Sequence, residues 1–77
     1  MAEDAARQAE ARSKRAHERA AGTYDRAAAH FERIAEAYEG WGRHDQAREL
    51  REKAEAKRQE AARERTAAGE HREVDEP

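Results

Sequence analysis

The chain has 77 residues, of which 44% are charged and 36% are hydrophobic, and it contains no cysteine. At this length we expect a single domain with a small core. The 18 acidic and 16 basic side chains are intermixed, so no strong field of one sign favours nucleic acid as a partner. Disulfide chemistry is excluded, and a reducing cytoplasm is the expected location. The first residues resemble neither a signal peptide nor a membrane span.

The first predicted helix covers about residues 2–39. Glu3 and Asp4 suit the positive end of its dipole, and no proline interrupts it. Gly22 allows a break, with Thr23 as the N-cap of a separate helix. Because the heptad register before the glycine continues after it, we expect one continuous helix at a local cost of about 1 kcal/mol.

A heptad pattern runs along this helix. A ring occupies every seventh residue, and a second apolar position follows three places later. The ring positions are His17, Tyr24, Phe31 and Tyr38, and the second positions are Ala20, Ala27, Ile34 and Trp41. This repeat is typical of a helix that lies against another helix.

Two glycines flank Trp41, and they predict a helix end with a left-handed residue in the turn. A second helix is expected over about residues 44–68, with Gly69 as its stop. Residues 70–77 carry four acidic side chains and one arginine without apolar periodicity. The sequence therefore predicts a helical domain over residues 1–69 and a disordered acidic tail over residues 70–77.

The fold class expected from this pattern is all-α, a two-helix antiparallel coiled-coil hairpin. Antiparallel pairing brings Phe31 near Ala54 and Tyr24 near Ala61, so large side chains meet small ones. Residues before about Glu18 are left as an overhang of the longer helix. Two helices cannot cover both sides of an aromatic stripe, so we expect two hairpins to pair into a four-helix bundle.

Trp41 allows two interpretations. The favoured one is that it plugs the turn of the hairpin, since it continues the second apolar position. If Trp41 is exposed instead, Tyr38, Trp41 and Leu50 form a contact patch for a partner. The candidate partner-binding residues are accordingly Tyr24, Phe31, Tyr38, Trp41 and Leu50.

The spacing of eight residues resembles that of a tetratricopeptide repeat. They are Phe31, Ile34, Ala35, Tyr38, Gly42, His44, Ala47 and Ala54. The resemblance covers about residues 31–59 and implies a helical hairpin that serves as a protein-binding scaffold, in which Ala35 and Ala47 let the helices pack closely. The chain departs from the family pattern because Arg51 stands where an aromatic residue is usual, no proline lies near Gln59, and one repeat is present.

No residue pattern indicates catalysis. The four histidines, His17, His30, His44 and His71, match no metal-binding motif, so we identify no catalytic, metal-binding or cofactor-binding residue. The expected function is that of a small protein–protein interaction module, a bacterial cytoplasmic accessory or adaptor protein that is not an enzyme. Its expected partner is another protein, with homo-oligomers also expected.

The alternative is a small nucleic-acid-associated regulator. It would use the basic face at residues 12–19, which contains Arg12, Lys14, Arg15 and Arg19. Glu10 and Glu18 dilute the charge of this face, and phosphate recognition normally shows a larger basic stripe or stacking aromatic residues. Nucleic acid is therefore the less expected partner, and a membrane surface is not expected.

Overall fold

The computed structural model describes the backbone of residues 2–74 and the side chains of residues 2–69. It contains two helices, α1 at Ala2–Gly40 and α2 at His44–Val74, which are joined by a short turn. The helices pack against each other and form a rod of 62 × 17 × 11 Å. The predicted all-α helical hairpin is confirmed.

Helix α1 is continuous through Gly22, as the shared heptad register predicted. Its 39 residues extend over about 58 Å at 1.5 Å per residue. Alanine, arginine and glutamate, which dominate its sequence, have high intrinsic helix propensity, so one glycine does not interrupt the helix. Glu3 and Asp4 lie in the first turn, where their charges complement the helix dipole.

Helix α1 ends in a Schellman motif. The backbone N–H of Arg43 donates to the carbonyl of Tyr38 at 2.9 Å, and the N–H of Gly42 donates to the carbonyl of Glu39 at 3.0 Å. Gly42 has a φ of 76°, a left-handed conformation that costs glycine little because it has no Cβ. The predicted left-handed turn residue is confirmed, and this turn reverses the chain into α2.

Helix α2 runs to Val74, so its predicted end at residue 68 and the stop at Gly69 are wrong. Gly69 keeps a helical backbone, since Gly42 is the glycine with a positive φ in the described part of the chain. A glycine inside a helix costs about 1 kcal/mol relative to alanine, which does not end a helix by itself. Residues 70–74 of the predicted acidic tail thus belong to α2, and residues 75–77 lie outside the described residues.

The longer α2 also shortens the predicted overhang of α1. His17 Nδ1 lies 2.6 Å from Glu64 Oε2 on the other helix. One turn earlier, Lys14 lines a small surface groove together with Ala68 of α2. The segment 14–17, which was expected to extend beyond the partner helix, therefore lies alongside α2, with Lys14 and His17 facing it.

The core of the hairpin consists of alanine. Seven alanines are at most 4% exposed, and on each helix they recur every seven residues: Ala21, Ala28 and Ala35 on α1, and Ala47, Ala54, Ala61 and Ala68 on α2. We call this core the alanine seam. No large side chain among the described residues is fully buried. Since only methyl groups lie between the helices, their backbones can approach closely.

The alanine seam corrects the predicted second apolar position. A buried alanine follows His17, Tyr24 and Phe31 by four residues. The residues that follow these rings by three, Ala20, Ala27 and Ile34, are half-buried. Both spacings lie on the same side of a helix, so a heptad pattern is compatible with either. The smallest side chains take the position of closest approach because the rings are too large to fit there.

Ala54→Leu is expected to lower the free energy of unfolding by about 1–3 kcal/mol, because the added methylene groups must separate helices that only methyl groups hold apart. Ala56, an exposed residue of the same helix, provides the matched control. Ala56→Leu should change the free energy of unfolding by less than about 0.5 kcal/mol. Urea unfolding followed by far-UV circular dichroism measures both effects. Equal stability of the two variants would argue against packing at the alanine seam.

Candidate protein-interaction surface

Two unlike edges flank the alanine seam. In α1, the residues three places after each seam alanine are aromatic, and those four places after are acidic. In α2, the residues four places after the seam alanines at 47, 54 and 61 are arginines. Cross-helix contacts place like positions of the two helices on the same edge. The hairpin therefore has one aromatic edge and one ion-paired edge.

Three cross-helix ion pairs form a ladder on the charged edge. Each joins a carboxylate of α1 to an arginine of α2, with steps of seven residues in opposite directions along the two helices. The pairs are Asp25 with Arg65, Glu32 with Arg58 at 3.1 Å, and Glu39 with Arg51 at 3.3 Å. Exposed ion pairs contribute little to stability. A shift of one helix along the other would break all three, so the ladder selects the register of the hairpin.

The ladder was not predicted, although the sequence contains its signal. Acidic residues recur at positions 18, 25, 32 and 39, and arginines recur at positions 51, 58, 65 and 72. Charges of opposite sign at matching heptad positions are typical of paired helices whose partner and orientation are set by charge. Asp25, Glu32 and Glu39 of α1 thus contribute to the pairing of the two helices.

The ladder lowers the pKa of two carboxyl groups. At Asp25, the hydrogen bond from Arg65 is the main cause, and the pKa of the Arg65 guanidinium rises in turn. At Glu39, the main cause of the lowered pKa is the hydrogen bond from His44 Nδ1 at 3.1 Å, and Arg51 adds to it. Both carboxylates are therefore held in their charged form.

The hairpin is expected to lose stability as the pH falls below the ordinary carboxyl values of 3.8 and 4.5. A carboxyl group whose pKa is lower in the folded state stabilises the fold above its unfolded pKa, and this contribution is lost as the pH falls through the folded pKa. The double variant Asp25→Asn/Glu39→Gln should therefore show a smaller change of melting midpoint than the unmodified protein between about pH 6 and pH 3.

Glu36 provides the control for this measurement, since it is an exposed glutamate of α1 outside the ladder. Glu36→Gln should keep the pH dependence of the unmodified protein. If all three proteins lose stability equally between the two pH values, the ladder makes no contribution to acid unfolding.

The predicted partner-binding residues lie on or beside the aromatic edge. Tyr24, Phe31 and Tyr38 recur along α1 and are half-buried, as is Leu50 of α2. Lys57 Nζ lies 5.6 Å from the centre of the Tyr24 ring, a cation–π contact between the helices. We call Tyr24, Phe31, Tyr38, Trp41 and Leu50 the aromatic strip. The heptad spacing places its three rings of α1 in one row, each with part of its surface open.

Trp41 does not plug the turn, so the favoured sequence interpretation is wrong. Its side chain is 69% exposed. The indole contacts the Tyr38 ring edge to face, with ring centres 5.5 Å apart and planes at 87°. Backbone hydrogen bonds around Gly42 close the turn, and the closely packed helices leave no space for an indole between them. Trp41 instead extends the aromatic strip at the tip of the hairpin.

Of the predicted basic face at residues 12–19, the three arginines lie on one side of α1 and Lys14 does not. Lys14 lies on the side of α1 that faces α2, with its Nζ 3.7 Å from Glu18 Oε1. Arg15 and Arg19 instead line a shallow open groove of about 450 Å³ on the outer side of α1. Arg26, which was not part of the predicted face, also lines this groove. The cations on the outer side of α1 thus include Arg26 and do not include Lys14.

Over residues 2–69, histidine, aspartate and glutamate side chains form no group of three that could hold a metal ion. Neither α1 nor α2, as far as they are described, has an apolar stretch that could span a bilayer.

A scan against protein-family models, a search of curated proteins and a search of solved structures each found no match. The resemblance to a single tetratricopeptide repeat therefore stays a prediction. What the chain does has to be inferred from its own surfaces.

Proposed function

We propose that this chain is a small protein–protein interaction module, with no catalytic activity, that binds through the aromatic strip. One observation carries the proposal: among the described residues, no large side chain is fully buried within the hairpin. Burial of apolar surface is the dominant favourable term in folding and association, and the alanine seam contributes only methyl groups to it. The rings of the aromatic strip still have apolar surface to bury against another protein.

The partner that we propose is a second copy of the chain. From Tyr24 to Tyr38 the rings of α1 extend over about 21 Å at 1.5 Å per residue, and they repeat every seven residues. A repeating row of this kind can pack against an antiparallel copy of itself across a two-fold axis. Two hairpins joined in this way form a four-helix bundle, with tyrosine and tryptophan in its interface, where both residues are enriched.

The wider setting in this proposal is that of a bacterial cytoplasmic accessory or adaptor protein. The excess of arginine over lysine, 13 to 3, together with abundant alanine, supports a bacterial origin. The resemblance to a tetratricopeptide repeat supports protein binding as the activity, because hairpins of that family serve as protein-binding scaffolds.

The test compares two alanine-to-lysine variants of α1 by sedimentation over a wide concentration range. The unmodified protein is expected to have twice the monomer mass of 8.8 kDa. Ala27 is half-buried beside the aromatic strip, so Ala27→Lys should weaken dimerisation at least about tenfold by placing a charge in the interface. Ala29 is exposed on another side of the same helix, and Ala29→Lys should leave the dimer intact.

Far-UV circular dichroism of both variants checks that the hairpin remains folded, which is expected because neither alanine belongs to the alanine seam. A monomer at every concentration of the unmodified protein would contradict the second copy as the partner. Equal dissociation of the two lysine variants would contradict the aromatic strip as the interface.

A further inference from the structure

The outer face of α1 carries a row of arginines that neither the alanine seam nor the aromatic strip uses. Its members are Arg12, Arg19, Arg26 and Arg33, which recur every seven residues, and Arg15 beside them. All five side chains are exposed. From Arg12 to Arg33 the row is about 32 Å long at 1.5 Å per residue. We call it the arginine strip.

Within the described residues, no carboxylate forms an ion pair with the arginine strip. The acidic residues nearest to it along the helix have other partners: Glu18 pairs with Lys14, and Asp25 and Glu32 pair with arginines of α2. Arg26 Nη2 donates to Thr23 Oγ1 at 3.2 Å, a contact that leaves its charge uncompensated. Three neighbouring carboxylates are thus removed from competition for the strip, while Glu36, three residues after Arg33, stays exposed on this side of α1.

Small side chains lie between these arginines, so the surface there does not protrude. Helical spacing places Ala16, Gly22, Thr23 and Ala29 on the same side of α1 as the arginines. The shallow groove of about 450 Å³ is lined by Arg15, Glu18, Arg19, Gly22, Thr23 and Arg26. A rigid anionic ligand can therefore reach several guanidinium groups without meeting a bulky apolar side chain.

We infer that the arginine strip binds the phosphate backbone of double-stranded nucleic acid without sequence specificity. Guanidinium groups match phosphate geometry and donate two parallel hydrogen bonds to it. In the arginine strip, successive heptads place such groups about 10.5 Å apart along a straight helix. A row of cations on a rigid rod suits a ligand whose phosphates also follow regular, rigid tracks.

Two other anionic ligands fit this face less well. Proteins that bind single-stranded nucleic acid stack bases on aromatic rings, and the rings of Tyr24, Phe31 and Tyr38 lie on the aromatic edge, away from the arginine strip. Helices that adsorb to membranes insert large apolar side chains, whereas alanine, glycine, threonine and the polar His30 separate the arginines here. Duplex backbone is the ligand that matches both the charge and the flatness of the face.

The inference does not depend on the proposed function, because the arginine strip and the aromatic strip lie on different sides of α1. Pairing of two hairpins through the aromatic strip would leave both arginine strips accessible. On the outer face of α2, acidic residues outnumber basic ones: Asp45, Glu49, Glu52 and Glu55 are exposed there, against Arg48 and Arg63. These carboxylates would repel a duplex from α2 and so direct it to α1.

The experiment measures binding of a fluorescent duplex of about 20 base pairs by anisotropy, at 50 and 200 mM salt. If three to five phosphates are neutralised, the affinity should fall about 40- to 500-fold between the two salt concentrations. In the variant Arg12→Gln/Arg19→Gln/Arg26→Gln, the slope of log affinity against log salt should decrease by about 0.9 for each arginine removed. The corresponding lysine variant should retain most of the slope, because it keeps the charge.

The matched control is Arg48→Gln/Lys53→Gln/Arg63→Gln, which removes the same charge from exposed positions of α2 and should bind like the unmodified protein. Circular dichroism verifies that all variants keep their helices. The inference is overturned by absent or salt-independent duplex binding, by equal losses in the control, or by a preference for single-stranded oligonucleotide. Binding to phosphatidylserine vesicles without binding to the duplex would overturn it as well.

Discussion

Close approach of α1 and α2 is the constraint on which the other features of this hairpin depend. Alanine occupies every buried position of the seam on both helices, from Ala21 to Ala35 and from Ala47 to Ala68. With only methyl groups between the backbones, rings cannot fit at the centre and move to one edge. At the other edge, the short distance lets side chains such as Glu32 and Arg58 meet directly, at 3.1 Å.

Three features of the hairpin each determine one part of its geometry. The Schellman turn at Gly42 reverses the chain, the alanine seam sets the separation of the helices, and the ladder selects their register. None of these parts buries much apolar surface, and in the aromatic strip Trp41 is 69% exposed while the other members are half-buried. A thin core and an open aromatic edge are consistent with a chain whose folded state gains further stability by association.

The ladder also affects how charge is distributed over the surface of the folded hairpin. Along the chain, 18 acidic and 16 basic residues are intermixed, and the formal charge is −2. In the folded hairpin, carboxylates of α1 such as Asp25 and Glu32 turn towards α2 and pair there, while arginines such as Arg19 and Arg26 remain outside. A nearly neutral sequence therefore presents a basic outer face on α1 and, on α2, an outer face in which carboxylates outnumber arginines. Such an uneven distribution of charge steers association.

The sequence by itself determined the local elements. Helix propensity and the shared heptad register predicted α1 through Gly22, the two glycines predicted the turn, and the helical hairpin followed. These features depend on interactions within a few residues or on a periodicity that any single chain reveals. The candidate strip of Tyr24, Phe31 and Tyr38 was found for the same reason.

Only the tertiary structure decided which of two adjacent heptad positions faces the partner helix, because residues three and four places apart share one side of a helix. The choice of Ala28 over Ala27 for the core, and the exclusion of the Trp41 side chain from the space between the helices, follow from how closely two backbones can approach. The pairing of Asp25 with Arg65, 40 residues away, likewise requires both helices to be in place. Local propensity contains no information about distances between elements, and these distances are what separate a buried alanine from an exposed tryptophan.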